Sequence, residues 1–582
     1  MKHLIKIETP EHGVLSVQHD GRDSQYCEAG ETIILDWQPD PKWGLQEAHY
    51  TVGGRQVAID LKTRTFIMPS AEVSIGATFK RFVIEDWTGR DGAFSIVGSF
   101  DVKYLPTLDG FKDAGKVAFV KDTRKYATWD GYGWTYMDGK PVTPRYLTFT
   151  ANEDGSSVGF CCWSGDYEPV DMGKNMQYST DGGKTWEDYT IGVGEDNLVA
   201  IELDEGESVM FRGNNENLAY YLEDNEDYIY TKCFIDGSVA ASGDVTSLLN
   251  GVGGDATLAS NCYYYMFSGC TGLTQAPALP ATTLANYCYS SMFSGCTELT
   301  EAPALPATTL ANYCYNGMFS GCTGLTQAPA LPATTLAEGC YSGMFYGCTG
   351  LTQATALPAT TLAEGCYSGM FYGCTGLTQA TALPATTLAS NCYYYMFNGC
   401  TELTEAPALP ATTLAEGCYN GMFYGCTGLT QATALPATTL AEGCYSGMFY
   451  GCTGLTQATA LPATTLANHC YSSMFSGCTG LTQAPALPAT TLANHCYSSM
   501  FSGCTQITSH HVATLNNSAG IFANNSSCGS FTIDAETPPT ISNDTISGLK
   551  ADCVIYVPAA SVDAYKAAQY WSARASYIQA IP

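Results

Sequence analysis

The sequence predicts a multidomain chain: β-rich N-terminal modules, then a long array of short repeats, then a C-terminal cap. Three observations carry that reading. Cysteines recur with a 26-residue period at 262, 288, 314, 340, 366, 392, 418, 444, 470 and 496, and a second cysteine follows eight residues later in each of the ten copies. No Lys or Arg occurs between Lys232 and Lys550, so the array is built without cations. The first 233 residues instead alternate apolar and polar side chains in short runs separated by turn-forming residues, the pattern of half-buried strands.

Composition narrows the function. The chain has 582 residues, only 14% of them charged, and a net charge of −30. A grip on nucleic acid needs clustered Lys and Arg to neutralise phosphate, so that class is excluded. The apolar content of 45% is too high for disorder. No run approaches the ~18 apolar residues of a membrane helix. The opening Met1-Lys-His-Leu-Ile-Lys lacks the apolar stretch of a secretory signal, so membrane insertion and signal-directed export are not expected.

Residues 1–82 contain Gly13-Val-Leu-Ser-Val, Gly30-Glu-Thr-Ile-Ile-Leu, Thr65-Phe-Ile-Met-Pro and Ala77-Thr-Phe-Lys, which read as strands of a small β domain. Their order is similar to the divergent internalin-type B-repeat, which implies a β-grasp-like module. Residues 83–142 form a connector in which Asp130-Gly131 sits between two strand-like runs and predicts a hairpin. Its Tyr126-Ala-Thr-Trp-Asp-Gly-Tyr-Gly-Trp string resembles a module of phage fibre proteins. Residues 143–233 carry the strand-like runs Tyr146-Leu-Thr-Phe-Thr, Leu198-Val-Ala-Ile-Glu-Leu and Ser208-Val-Met-Phe-Arg, and predict a β-sandwich.

Residues 234–257 are read as an N-terminal cap, 258–507 as the array and 508–582 as the C-terminal cap. Each copy follows Cys-Tyr-x-x-Met-Phe-x-Gly-Cys-Thr-x-Leu-Thr-x-Ala-x-Ala-Leu-Pro-Ala-Thr-Thr-Leu-Ala-x-x. Leu284, Cys288, Met292 and Cys296 are four apart, which predicts one face of a short helical segment. The run from Leu273 to Leu279, closed by Pro280, predicts a short strand. One strand and one helix in 26 residues is a leucine-rich-repeat unit, and stacked units share one core, so ten of them form a solenoid. Two readings of the twenty array cysteines stand: disulfide staples, or a buried ladder of thiols acting as small apolar groups. Their place on the apolar face favours the ladder.

The Phe-x-Gly-Cys-Thr-x-Leu-Thr pattern and the Leu-Pro-Ala-Thr-Thr-Leu-Ala bridge resemble the leucine-rich repeats of surface proteins from gut Bacteroides and of the phages that infect them. The tail Val554-Ile-Tyr-Val-Pro-Ala-Ala-Ser, with Tyr570-Trp571 beyond it, is similar to their usual C-terminal end. The resemblance implies a non-enzymatic attachment protein, located on a virion or on a bacterial surface as an adhesin. Its partners would be other virion proteins through the N-terminal modules and a bacterial surface protein or glycan through the solenoid. A homo-oligomer is compatible with this.

Catalytic chemistry finds little support. Gly155-Ser-Ser-Val-Gly159 has the spacing of a nucleophile elbow but lacks the strand-to-helix setting that elbow needs, and reads as a hairpin turn. Ser179-Thr-Asp-Gly-Gly-Lys-Thr-Trp186 matches an Asp box, a structural turn. The acidic run Glu223-Asp-Asn-Glu-Asp227 reads as a solvated loop rather than a Ca²⁺ site, and neither His510-His511 nor the pair His469 and His495 has zinc-type partners. A carbohydrate-cleaving enzyme would need a pair of carboxylates or a triad that the sequence does not offer. No cofactor, metal or catalytic residue is expected.

Binding is read from the columns that vary between copies. The changing residues are Tyr, Ser, Asn, Gly, Glu and His, the mix found in binding loops. Tyr346, Tyr372, Tyr424 and Tyr450 share one column, and Tyr264, Tyr265, Tyr394 and Tyr395 occupy two others. These eight tyrosines are the expected contact residues.

Overall fold

The computed structural model describes residues 144–582 except 165–170 and 223–226, most of 2–81, and four strands between 96 and 136. The chain divides into two compact units, Met1–Thr143 and Pro144–Pro582.

In the first unit the apolar alternation yields two sheets. One orders Tyr26–Glu28, Lys2–Ile7, Val73–Arg81, Trp43–Val52 and Arg55–Ala58; the other orders Arg22–Asp23, Gly13–His19, Thr32–Pro39 and Thr65–Ile67. Ile5, Leu15, Val17, Ile33, Leu35, Phe66 and Ile75 from both sheets close a common core. A separate four-stranded sheet joins Ile96–Phe100, Val117–Val120, Lys125–Trp129 and Trp134–Tyr136. Trp129 pairs with Trp134 across the expected hairpin, whose turn at Asp130-Gly131 lies outside the described residues.

The second unit opens with two sheets whose inner faces share Phe149, Phe160, Val209 and Phe211. The boundary expected at 233 is not a break, because one strand runs from Asp227 to Asp236 straight across it. The next strand, Val239–Ser242, pairs antiparallel with Leu147–Ala151 and parallel with Leu273–Gln275, which belongs to the first copy. The six-stranded sheet therefore runs on into the repeats, and Phe149 lies 6.2 Å from Phe267 in one uninterrupted core.

The repeats themselves correct the expected helix. The segment from Ala285 to Cys296 is a run of tight turns. Its amides alternate between two kinds of partner. Cys288, Ser290, Met292, Ser294 and Cys296 donate to the carbonyl three residues back, whereas Tyr287, Tyr289, Ser291, Phe293 and Gly295 donate to carbonyls of the next copy at 2.7–3.0 Å. Every fourth backbone position is left-handed: Tyr287 at φ 56°, Ser291 at 52° and Gly295 at 75°. An α-helix admits no such residue, and the four-residue spacing of Leu284, Cys288, Met292 and Cys296 is the period of this turn run instead of a helical face.

The expected strand is also reduced. Beyond Leu273–Gln275 the extended stretches meet through single parallel bridges such as Glu301↔Gln327 and Thr335↔Thr361. Proline supplies no N–H, so Pro303 and Pro306 interrupt the ladder between the bridges.

All 26 cysteines are buried free thiols. The second column does more than fill space. Cys322, Cys348 and Cys374 each donate Sγ–H to a Phe carbonyl of the preceding copy at 3.0 Å. Burial pushes the Cys314 and Cys374 thiols up to about 12.

Within the last copy, Ser499, Phe501 and Gly503 donate to Ala519, Ile521 and Ala523, twenty residues on instead of about twenty-five. A shortened copy thus begins the C-terminal segment. Four parallel strands follow, Ser509–Val512, Ser530–Ile533, Val554–Val557 and Ile578–Ala580, packed against Tyr565 and Trp571.

Candidate binding face

The turn run sorts its residues strictly. Cys340, Tyr341, Met344, Phe345 and Cys348 are buried, while Glu338, Ser342, Gly343, Tyr346 and Gly347 reach the surface to differing degrees. The outward pairs recur every four residues along a copy and every 26 along the chain. They form columns on one face.

Tyr346 is 46% exposed and stacks on Tyr372 with centroids 4.7 Å apart and an 11° tilt. Tyr424 and Tyr450 stack likewise at 4.4 Å and 6°. Between the pairs the column holds Asn398, which is buried. Tyr395 bridges the gap, edge-on to Tyr372 at 6.4 Å and to Tyr424 at 6.2 Å. It leans over Gly421, where a Cβ would collide with its ring. Tyr394 packs on Tyr395 at 4.3 Å. Six of the eight expected tyrosines therefore form one cluster spanning five copies.

Tyr264 and Tyr265 belong to a different group. Tyr264 stacks on Tyr228 at 4.2 Å, Tyr265 lies 5.7 Å from Tyr230, and Tyr221 and Tyr287 flank Tyr228. Tyr287 continues to Tyr313 at 5.0 Å, and the Tyr313 hydroxyl donates to Glu338 Oε1 at 2.7 Å. Reading the array alone missed Tyr221, Tyr228 and Tyr230, because they lie on strands before it.

The columns holding Tyr265, Tyr287, Tyr313 and Tyr395 are left-handed, with φ of 51–56°. Their choice among Gly, Asn, Ser, His and Tyr is thus set partly by backbone, since Gly and Asn tolerate this region best. Tyr there carries a conformational cost that ring stacking offsets. The column of Tyr346 has no such constraint.

The family model of the BspA-type leucine-rich repeat region matches six overlapping copies within residues 259–367, 315–447 and 417–549. This chain belongs to the BspA-type leucine-rich repeat family. Proteins with BspA-type repeats typically lie at the cell surface or outside the cell and bind other molecules. No curated protein matches the chain. A solved complex of TLR13 with ssRNA13 is similar at 15% identity and a TM-score of 0.23, over 53% of this chain and 46% of that one, so this chain spans less than half of it.

The other singled-out motifs of this BspA-type protein have structural partners. Ser157 lies inside the strand Ser156–Ser164, and Gly155 makes the turn before it at φ 74°. In the Asp box, Asp181 accepts from the Lys184 and Thr185 amides, and Trp186 Nε1 donates to Gly183 O at 3.1 Å. The Thr185 hydroxyl above all, then its amide and the Ser179 hydroxyl, hold the Asp181 carboxyl well below the usual carboxylate range. His511 pairs with Asp534 at 2.9 Å, and His469 stacks on His495 at 5.1 Å. Residues 223–226 of the acidic run lie outside the described residues. Among the described residues no helix is long and apolar enough to cross a membrane, and no three metal-type ligands converge.

Proposed function

We propose that this is a non-enzymatic attachment protein. A ten-copy solenoid, capped by residues 508–582, presents its tyrosine columns to a protein or glycan on a bacterial surface, and the N-terminal β modules dock to a larger particle. The observation that supports this is the cluster Tyr346, Tyr372, Tyr395, Tyr424 and Tyr450, with Tyr394 beside it, on the outward face of five copies. Tyr offers rigid contact area at small entropic cost, and aromatic side chains concentrate at interfaces. The resemblance of the connector to phage fibres favours a virion. Membership of the BspA-type family favours the second reading, an adhesin on a bacterial cell.

Changing Tyr346, Tyr372, Tyr424 and Tyr450 together to Ser tests the contact. Five native copies carry Ser in that column, so the fold is expected to persist in a thermal melt. Each lost anchor costs ~1–2 kcal/mol, and cell binding should fall by orders of magnitude. Full binding by the folded variant would move the contact elsewhere. Mass spectrometry of purified particles against envelope fractions decides between virion and adhesin.

A further inference from the structure

The second unit has a pocket of about 480 Å³ on the six-stranded sheet, lined by Lys174, Gln177, Asp188 and Arg212 with Asn175 and Asn214 at its wall. Gln177 and Arg212 face each other across paired strands. Arg212 Nε and Nη2 both donate to Gln177 Oε1, at 3.0 and 2.7 Å, and Gln177 Nε2 donates to Asp188 Oδ1 at 2.9 Å. The guanidinium also lies 4.1 Å over the Trp186 ring, which the Asp box holds in place. It is fixed on two sides, and three of its five N–H donors remain unused.

Lys174 Nζ donates to Asn217 Oδ1 at 3.2 Å and to the Tyr220 hydroxyl. Among the described residues, neither Lys174 nor Arg212 has a carboxylate within ion-pair distance. Only eight Lys and Arg residues follow Thr143 in a chain of net charge −30, and two of them meet here against one lining carboxylate, Asp188, which Gln177 holds. Two cations against one carboxylate leave this concave site net positive, which favours a ligand that brings its own negative charge.

We propose that this pocket binds the carboxylate of an acidic sugar, with Arg212 as the fork, Lys174 as the second cation, and the Asn175 and Asn214 amides on ring hydroxyls. A planar guanidinium matches a carboxylate through two parallel bonds, and its fixed position lowers the entropic cost of making them. The Trp186 face that a neutral sugar would stack on is covered by Arg212, so recognition depends on charge. The volume suits a sugar unit and not an extended peptide.

Calorimetric titration of the full chain with sodium glucuronate, glucose and inorganic phosphate tests this. Glucuronate should bind at least ~10-fold more tightly than glucose, and Arg212→Gln or Lys174→Gln should weaken it by ~10-fold or more. Lys184→Gln, a cation outside the pocket, should leave it unchanged. Equal binding of glucose, or no binding of glucuronate, overturns the proposal. Phosphate binding as tightly as glucuronate overturns the sugar assignment. If Arg212→Gln does not fold, the glucuronate-to-glucose ratio of the wild-type chain and Lys174→Gln still decide.

Discussion

The two ends of the repeat array are closed by different physics. At the N-terminal end a preformed pair of sheets lends a strand, Val239–Ser242, to the first copy and abuts it with Phe149. Phe149, Phe160 and Phe211 pack on each other at 5.0–6.2 Å, so this end has a core drawn from distant strands. At the C-terminal end the array runs down through a shortened copy into strands that each pair with the next in sequence. There Asn525, fully buried, takes the place of the cysteine thiol. Its Nδ2 donates to Phe501 O at 2.6 Å, and its Oδ1 bonds His510 Nε2 at 2.8 Å. Both ends have an apolar core, and the C-terminal one adds a polar relay containing a titratable ring.

The largest expected effect comes from removing residues 508–582. That truncation exposes the apolar edge of Phe501 and Cys504 and should give insoluble or unfolded protein by sedimentation and circular dichroism. Deleting one internal copy, 349–374, exchanges one neighbour interface for an equivalent one and should leave a cooperative melt. The reverse pattern would overturn stacking as the source of stability.

Acid should distinguish the two ends. Burial lowers the His510 pKa to about 4 from 6.5, so the unfolded chain takes the proton first as pH falls between those values. Stability is complete above pH 6.5 and declines toward pH 4, by ~3 kcal/mol over the window. At the other end Asp244 is a buried titratable group, and burial raises its pKa in spite of hydrogen bonds from Gly254 and Thr246 and the nearby Arg145 charge. A raised carboxyl favours the fold at low pH, so this end should not loosen. Hydrogen exchange at pH 7 and pH 4.5 should show earlier opening at 519–525 than at 239–242. Equal opening would remove the relay from its proposed role.

The smallest effect concerns the interior shared by both ends. The Tyr341, Tyr419, Tyr445 and Tyr471 hydroxyls are buried without a hydrogen-bond partner among the described residues. Tyr341→Phe removes a desolvated polar group and keeps the ring stack, so it should be neutral or stabilise by up to ~1 kcal/mol in a urea melt. A loss of more than that would mean the hydroxyl is bonded in solution.

The cysteine period and the missing cations made the repeat region legible, because stacking forces each copy to repeat the same buried residues. The turn run was not read, although Gly, Asn and Ser exchange freely at 261, 265 and their equivalents, the signature of left-handed backbone. A spacing of four residues is the period of these turns, whereas the helical period is about 3.6. Of the binding face, the Tyr346 column was visible as a column, but the bridging of Asn398 by Tyr395 depends on the empty space above Gly421. The Tyr228 cluster and the Lys174–Arg212 pocket join residues far apart in sequence, and no local pattern announces them.

The alternation of amide partners has a mechanical consequence. In the segments from Tyr263 to Phe501, every second amide is tied to the following copy, so each copy is joined to either neighbour by a short row of backbone bonds. A load applied to the chain would therefore break one row at a time. Each released copy of 26 residues frees roughly 90 Å of extended chain. Under tension such a protein yields in steps and dissipates work as it lengthens, as a shock absorber does.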